Sequence, residues 1–192
     1  MATYVAFLRA INLGARNKFP MPELRALLEA DGFADVRTHI NTGNVHLVSR
    51  MRSTVRVAAR LEELFAADRG FAVPTVVMTP AEVAAIAART ETWGAELAAE
   101  QAADPAVPAV AGQYVSLLRD LPPPDGVAAL EAYVDGLAGA ARVHVDGRAV
   151  HLALTEGYQS ARVDHNRIER LLGTTGTNRN VTVVRRVARD WC

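Results

Sequence analysis

The stretch VRTHINTGNVHL, residues 36–47, alternates apolar and polar side chains on both sides of a short glycine-containing segment. Alternation with a period of two is typical of a half-buried strand, and a brief connection that contains glycine joins two such strands into a hairpin. The stretch therefore predicts a β-hairpin whose turn lies at residues 41–44.

The segments before and after this hairpin predict the other strands and helices of one subdomain. Residues 3–9 are apolar at successive positions, which indicates a central strand covered on both faces. A helix is expected at about residues 22–30, a second at 55–69, and a strand at 73–78. Residues 1–78 therefore predict the order βαββαβ, the ferredoxin-like motif, with strand order 4-1-3-2.

The second half repeats this pattern. A strand at residues 113–119 precedes a helix at about 125–137, and a hairpin is expected at 142–154 around Asp146-Gly147. Two helices should follow, near residues 164–172 and 180–189. We therefore predict an α+β protein of two similar ferredoxin-like (βαββαβ-type) subdomains with mostly antiparallel sheets. The expected organisation is an N-terminal subdomain at 1–89, a helix and linker at 90–112, and a βαββα subdomain with a closing helix at 113–192.

Composition narrows the classes of function. The 192 residues carry 21 basic and 21 acidic side chains, and half of the chain is hydrophobic, as in folded domains. Cys192 is the single cysteine, so no disulfide framework or cysteine-based zinc cluster is expected. The sequence predicts no membrane segment and no secretion signal, which favours the cytoplasm. Neutral net charge and 6% aromatic content argue against nucleic-acid binding.

The charge is nevertheless unevenly distributed. Residues 1–20 have a balance of +3, residues 80–135 of −7, and residues 160–192 of +4. If the two ends meet in the fold, they form a basic region suited to an anionic partner. The alternative is that these charges only solvate separate faces.

The connection after the first strand is rich in hydrogen-bond donors. Arginine presents a planar fork to a phosphate or carboxylate, lysine a point charge, and asparagine an amide that orients a ligand. In the predicted sheet this connection and the turn of the first hairpin lie at the same end. The predicted ligand-binding residues of these two segments are Arg9, Asn12, Arg16, Asn17, Lys18, Thr42, Gly43 and Asn44.

A third polar segment precedes the last predicted helix. Thr177 or Asn178 could cap that helix, whose free N–H groups would favour an anion beside Arg179. Thr177, Arg179 and Asn180 therefore join the predicted ligand-binding set. A helix end followed by a helix start explains the same residues equally well.

The histidines predict no metal site and no catalytic group. With Asp146-Gly147 as the turn, His151 faces Arg142 and His144 faces Ala149, so the two histidines are diagonal neighbours on one face. Arg142 opposes a cation there, and no third ligand is evident. A polar outer face is the favoured interpretation, and no histidine has a recognisable serine or cysteine partner.

Three motifs resemble one bacterial family. YVAFLR at residues 4–9, INLG at 11–14 and RNK at 16–18 resemble the opening of the domain-of-unknown-function 1697 family. TGNV at 42–45 is similar to the Ser-Gly-Asn-Val turn of that family, and TNRN at 177–180 to its closing motif. The resemblance implies an α+β protein with ferredoxin-like parts and brings no settled activity with it.

Three functions are consistent with these residues. The first is a cytoplasmic module that binds a small phosphate- or nucleotide-like anion at residues 9–18, 42–44 and 177–180. The second is an enzyme that acts on a similar anion. The third is a structural or interaction protein in which Asn12, Asn44 and Asn180 brace the junction of the subdomains. The residues point to no particular cofactor.

Overall fold

Each half of the chain forms a four-stranded antiparallel sheet with helices packed against it. The computed structural model describes residues 1–14, 16–158 and 160–192, so Ala15 of the predicted binding loop lies outside the described residues. The chain divides into a first unit, Met1–Ala84 with Val187–Cys192, and a second unit, Ala85–Arg186.

The elements of the described residues follow in chain order. They are β1 (Ala2–Leu8), α1 (Met21–Ala30), β2 (Ala34–His39), β3 (Asn44–Ser49), α2 (Thr54–Arg69), β4 (Thr75–Met78), α3 (Pro80–Ala103), β5 (Gly112–Leu118), α4 (Pro124–Asp135), β6 (Ala141–Asp146), β7 (Ala149–Leu154), α5 (His165–Leu172), β8 (Gly176–Asn180) and α6 (Val181–Trp191).

The sheet of the first unit has the order β2-β3-β1-β4, which is the predicted 4-1-3-2 order. β1 lies between β3 and β4 and pairs antiparallel with both, which explains why its residues are apolar on both faces. Helices α1 and α2 bury Leu24, Leu28, Leu61 and Phe65 on one face of this sheet. Each such side chain stabilises the fold by about 1.5–3 kcal/mol.

The second unit repeats the arrangement. Its sheet has the order β6-β7-β5-β8, and α4 and α5 occupy the positions that α1 and α2 hold in the first unit. Leu130 on α4 and Ile168 on α5 are fully buried in the core that these helices form with one face of the sheet. The predicted fold class, α+β with two similar βαββαβ-type subdomains, is confirmed.

The segment that was predicted to start the last helix forms a strand instead. Residues 176–180 form β8, which pairs antiparallel with β5, and α6 begins only at Val181. The Asn180 Oδ1 accepts a hydrogen bond from the Thr182 N–H at 2.9 Å, so Asn180 caps the helix instead of Thr177 or Asn178. The polar sequence GTNRN lacks strand alternation, and pairing with β5 makes it a strand.

The second hairpin differs from its predicted register. Asp146 pairs with Ala149, so the two-residue loop is Gly147-Arg148. Gly147 has φ +53°, as the first loop position of a type II′ turn requires. His144 consequently stands directly opposite His151, and Arg142 stands opposite Ala153.

Helix α3 runs as one helix from residue 80 to 103, so it begins in the predicted N-terminal subdomain (1–89) and continues into the predicted helix and linker (90–112). A capping box begins this helix: the Thr79 N–H donates to Glu82 Oε2 at 2.8 Å, and the Glu82 N–H donates to Thr79 Oγ1 at 3.2 Å. Within residues 1–14, 16–158 and 160–192, none of the helices combines the length and apolar composition that a membrane crossing needs.

Candidate functional site

The connection after β1 follows an unusual backbone path. Ala10, Asn12, Gly14 and Asn17 all have φ between +50° and +57°, a region that costs most residues free energy. Asparagine tolerates this conformation better than other non-glycine residues because its short amide bonds locally. The Asn12 N–H closes the loop by donating to the Asn17 carbonyl at 2.9 Å.

Asn12 ties this loop to both the core and the first hairpin. Its Oδ1 accepts from the Phe19 N–H at 2.8 Å, and its Nδ2 donates to the Phe19 carbonyl at 3.0 Å and to the Asn41 carbonyl at 2.8 Å. Both Nδ2 protons and the oxygen are therefore used. Phe19 itself is fully buried and packs edge-on against Phe65 with ring centroids 5.1 Å apart.

The hairpin turn lies directly against this loop, so the predicted proximity of the two segments is confirmed. The Leu8 N–H donates to the Gly43 carbonyl at 2.7 Å. A Cβ at Gly43 would lie 2.6 Å from Leu8 Cβ and 2.9 Å from Ile11 Cδ1, so only glycine allows this approach. Asn44 is buried, and its Nδ2 donates to the His39 carbonyl at 2.9 Å and to Thr42 Oγ1 at 3.1 Å.

The predicted cations of the loop differ in their surroundings. Arg16 and Lys18 are exposed and have no hydrogen bond or ion pair from their side chains to another described residue. Asn17 is exposed as well, and its Nδ2 donates to the Ala10 carbonyl at 3.1 Å. Arg9 is partly buried, and its N–H donates to the Pro74 carbonyl at 2.9 Å. The loop therefore presents two charged groups from a braced backbone.

The third predicted segment belongs to the second unit. Arg179 is buried on β8, where its Nη1 donates to Thr177 Oγ1 at 2.8 Å and to the Asn178 carbonyl at 2.9 Å. Burial lowers the pKa of Arg179 to about 10. Thr177 is buried, and Asn180 is exposed at the start of α6. The side-chain hydrogen bonds described above for Asn12, Asn44 and Asn180 lie within their own units.

A serine–histidine pair that the sequence did not predict joins α5 to the second sheet. Ser116 Oγ on β5 lies 3.2 Å from His165 Nδ1, and His165 Nε2 lies 3.4 Å from Glu169 Oε1 one helical turn later. The only sequence signal was a polar residue inside the apolar strand YVSLL and a histidine four residues before a glutamate. Because Ser116 has no exposed surface, this arrangement joins α5 to the sheet and does not offer an accessible nucleophile.

His151 was predicted on a polar outer face, and that prediction is wrong. It is buried beneath α3, with the Thr90 Oγ1 3.1 Å from its Nδ1. Desolvation, with a smaller contribution from nearby His144, lowers the pKa of His151 to about 4. The imidazole is therefore neutral across the physiological range.

Comparisons with known proteins agree with this architecture. The conserved bacterial protein SP0830 from Streptococcus pneumoniae has a similar solved structure, with 18% sequence identity, a TM-score of 0.60 and coverage of 97% of each chain. At that identity the likeness concerns the fold alone. No curated protein matches the sequence. The model of the family described as Protein of unknown function (DUF1697) matches residues 1–151, and the chain therefore belongs to this family.

Proposed function

We propose that this protein is a cytoplasmic binding module for a small phosphate- or nucleotide-like anion, bound at the loop of residues 9–18 beside the turn of residues 42–44. One observation carries the proposal: a loop braced by asparagine side chains presents Arg16 and Lys18 to solvent without an ion pair among the described residues.

Bracing supports binding because a fixed backbone reduces the conformational entropy lost when a ligand is held. Arg16 supplies a planar fork and Lys18 a point charge, and both neutralise phosphate oxygens. Asn12 and Asn44 hold the loop and the turn in shape, since their amides bond to the protein's own backbone. The role of Thr177, Arg179 and Asn180 in the second unit remains a prediction.

The test is a thermal-shift titration at low salt with inorganic phosphate, pyrophosphate and ATP. A probe at a hundred times its dissociation constant should stabilise the protein by about 2.7 kcal/mol, a shift of several degrees. The double variant Arg16→Ala/Lys18→Ala should fold normally and lose this stabilisation.

The control is Arg50→Ala/Arg52→Ala, which removes two exposed cations from the same unit outside the loop. Retained stabilisation in the control and its loss in the loop variant would support the proposal. Equal stabilisation in both variants, or no stabilisation of the wild type by any of the three probes, would exclude it.

An enzyme that acts on a similar anion is the second candidate, because one histidine lies at the proposed site. His39 pairs with Asn44 across the end of the hairpin, and its carbonyl accepts the hydrogen bond of the Asn44 amide. Phosphate release from pyrophosphate or ATP that disappears in His39→Gln, with binding retained, would favour this candidate. Binding without turnover in the wild type would exclude it for these substrates.

A further inference from the structure

The observed register of the second hairpin places two histidines side by side. His144 on β6 and His151 on β7 are direct cross-strand partners, with ring centroids 5.9 Å apart. Direct partners on one face of an antiparallel pair have Cβ atoms only about 4.5–5.5 Å apart, so both rings project from the same place on the sheet.

Helix α3 covers this pair within the second unit. The Trp93 ring lies 6.3 Å from His144 and 6.2 Å from His151, measured between centroids. Thr90, one helical turn earlier, contacts His151. The Trp93 indole therefore covers part of this pair, while His144 stays partly exposed to solvent.

The contacts of Thr90 fit one tautomer of His151. The Thr90 Oγ1 lies 2.8 Å from the Ile86 carbonyl, to which a hydroxyl donates, and 3.1 Å from His151 Nδ1. With the hydroxyl proton on the Ile86 carbonyl, the Thr90 oxygen accepts from His151 Nδ1–H, and Nε2 carries a lone pair. Nε2 is buried and has no hydrogen-bond partner among the described residues, and the whole residue is only 1% exposed. A buried acceptor without a partner is uncommon in native proteins.

Acidic side chains offset the arginines around this pair. Arg142, the residue that argued against a metal at this hairpin, forms an ion pair with Glu100 at 2.5 Å. Arg89 forms an ion pair with Glu96 at 3.2 Å, and the carboxylate of Asp146 stands two positions beyond His144 on β6. Two arginines are thus balanced by two glutamates, and Asp146 adds one negative charge.

We propose that His144 and His151 bind a late first-row divalent metal ion, with Cu²⁺ bound more tightly than Ni²⁺ or Zn²⁺. Neutral imidazole suits these ions, and the affinity order follows the Irving–Williams series. The Thr90–Ile86 relay is the type of outer contact that orients a ligating histidine. The described residues contain no group of three or more His, Cys, Asp or Glu side chains that could hold a metal, so the proposed site has two protein ligands and takes its remaining ligands from solvent on the partly exposed His144 side.

The first unit also places a histidine beside a tryptophan at the corresponding strand position, but an arginine stands where the second unit has His144. His46 on β3 corresponds to His151, and the Trp191 ring lies 5.9 Å from it, but its cross-strand partner is Arg37. His46 Nδ1 lies 2.9 Å from the Asp35 carbonyl, and Arg37 Nη2 lies 3.0 Å from Nε2. A cation already occupies the position where the metal would bind, so this unit should bind none there.

Trp93 is a built-in reporter, because Cu²⁺ and Ni²⁺ quench nearby indole fluorescence. The test uses the full chain carrying Trp191→Phe and Cys192→Ser, which removes the second indole and the exposed thiol. Titration with Cu²⁺ should quench Trp93 saturably with one ion per chain, and EDTA should reverse it. Electron paramagnetic resonance should show two imidazole nitrogens on the bound copper.

His144→Arg reproduces the first unit's arrangement and leaves the buried His151 in place. It should abolish saturable quenching and the two-nitrogen signal, whereas His39→Ala should change neither. Thr90→Val should weaken affinity about 10- to 100-fold by releasing the ring of His151. Absence of saturable quenching in the parent chain, or unchanged affinity in His144→Arg, would overturn the proposal.

Discussion

Gly43 is the residue at which the backbone geometry of the proposed anion site is most constrained. Its φ is +78°, and a Cβ there would lie 2.6 Å from Leu8 Cβ. We expect Gly43→Ala to lower the free energy of unfolding by about 3 kcal/mol, because left-handed strain and a steric clash add. Urea unfolding followed by circular dichroism measures this loss.

A comparison with Gly70 separates the cost of the left-handed backbone from the cost of the steric clash. It has a similar φ of +72° at the end of α2, and a Cβ there would meet no atom within 4 Å. Gly70→Ala should therefore cost only the strain, about 1 kcal/mol. Equal losses in the two variants would show that the turn can move away from β1.

His151 makes the stability of the metal-free protein depend on pH. Burial lowers its pKa to about 4 in the folded state, whereas the unfolded chain takes up the proton near pH 6.5. Between these values the unfolded state binds more protons, so this contribution to stability is complete above pH 6.5 and is lost as the pH falls to 4. The loss should reach about 3 kcal/mol.

The measurement is the urea midpoint in EDTA between pH 7 and pH 4 for wild type and His151→Gln. The variant should show a shallower decline, because glutamine does not titrate. Parallel curves for wild type and His151→Gln would mean that other groups cause the acid sensitivity.

At the scale of an element, the stability of the loop of residues 9–18 depends more on the Asn12 side chain than on Arg16 and Lys18. Asn12 makes three hydrogen bonds to backbone groups of Phe19 and Asn41, whereas Asn17 makes one, to Ala10. Asn12→Ala should cost about 2–3 kcal/mol of stability, and Asn17→Ala about 1 kcal/mol. Chemical denaturation of both variants tests this ranking.

The same variants distinguish bracing from ligand contact. If the loop binds phosphate only when it is held in shape, Asn12→Ala should weaken phosphate binding even at temperatures where the variant is folded. Unchanged affinity would indicate that Asn12 serves stability alone and that Arg16 and Lys18 bind from a mobile loop.

At the scale of the whole molecule, the first unit contains residues that are far apart in the sequence. Residues 187–192 group with residues 1–84, Val187 is buried, and the Trp191 ring packs beside His46. We expect Trp191→Ala to destabilise the first unit by about 1–2 kcal/mol, because the lost side chain is only partly buried. Hydrogen exchange should become faster in β2 and β3.

Arg189→Ala is the control, because its exposed side chain pairs only with the neighbouring Asp190 among the described residues. It should leave exchange in β2 and β3 unchanged. Faster exchange that is uniform over both sheets in Trp191→Ala would indicate a global effect and contradict a role confined to the first unit.

Local patterns were sufficient to predict much of the fold and both segments of the proposed anion site, residues 9–18 and 42–44. Alternation in residues 36–47 and the glycine in its turn act over a few residues, so the sequence predicts them without knowledge of packing. The order 4-1-3-2 then followed from the βαββαβ connection. That order placed the loop of residues 9–18 beside the turn of residues 42–44, where hydrogen bonds from Asn12 and Leu8 join them.

Contacts between residues distant in the sequence decided the features that local patterns did not predict. GTNRN became β8 because β5 offered unpaired backbone groups, and a one-residue difference in loop placement moved His144 opposite His151. Burial of His151 and the partners of Ser116 depend on where α3 and α5 pack, at sequence separations of 61 and 49 residues. Local spacing carries no information about such pairs, because the free energy that forms them comes from packing between elements distant in the chain.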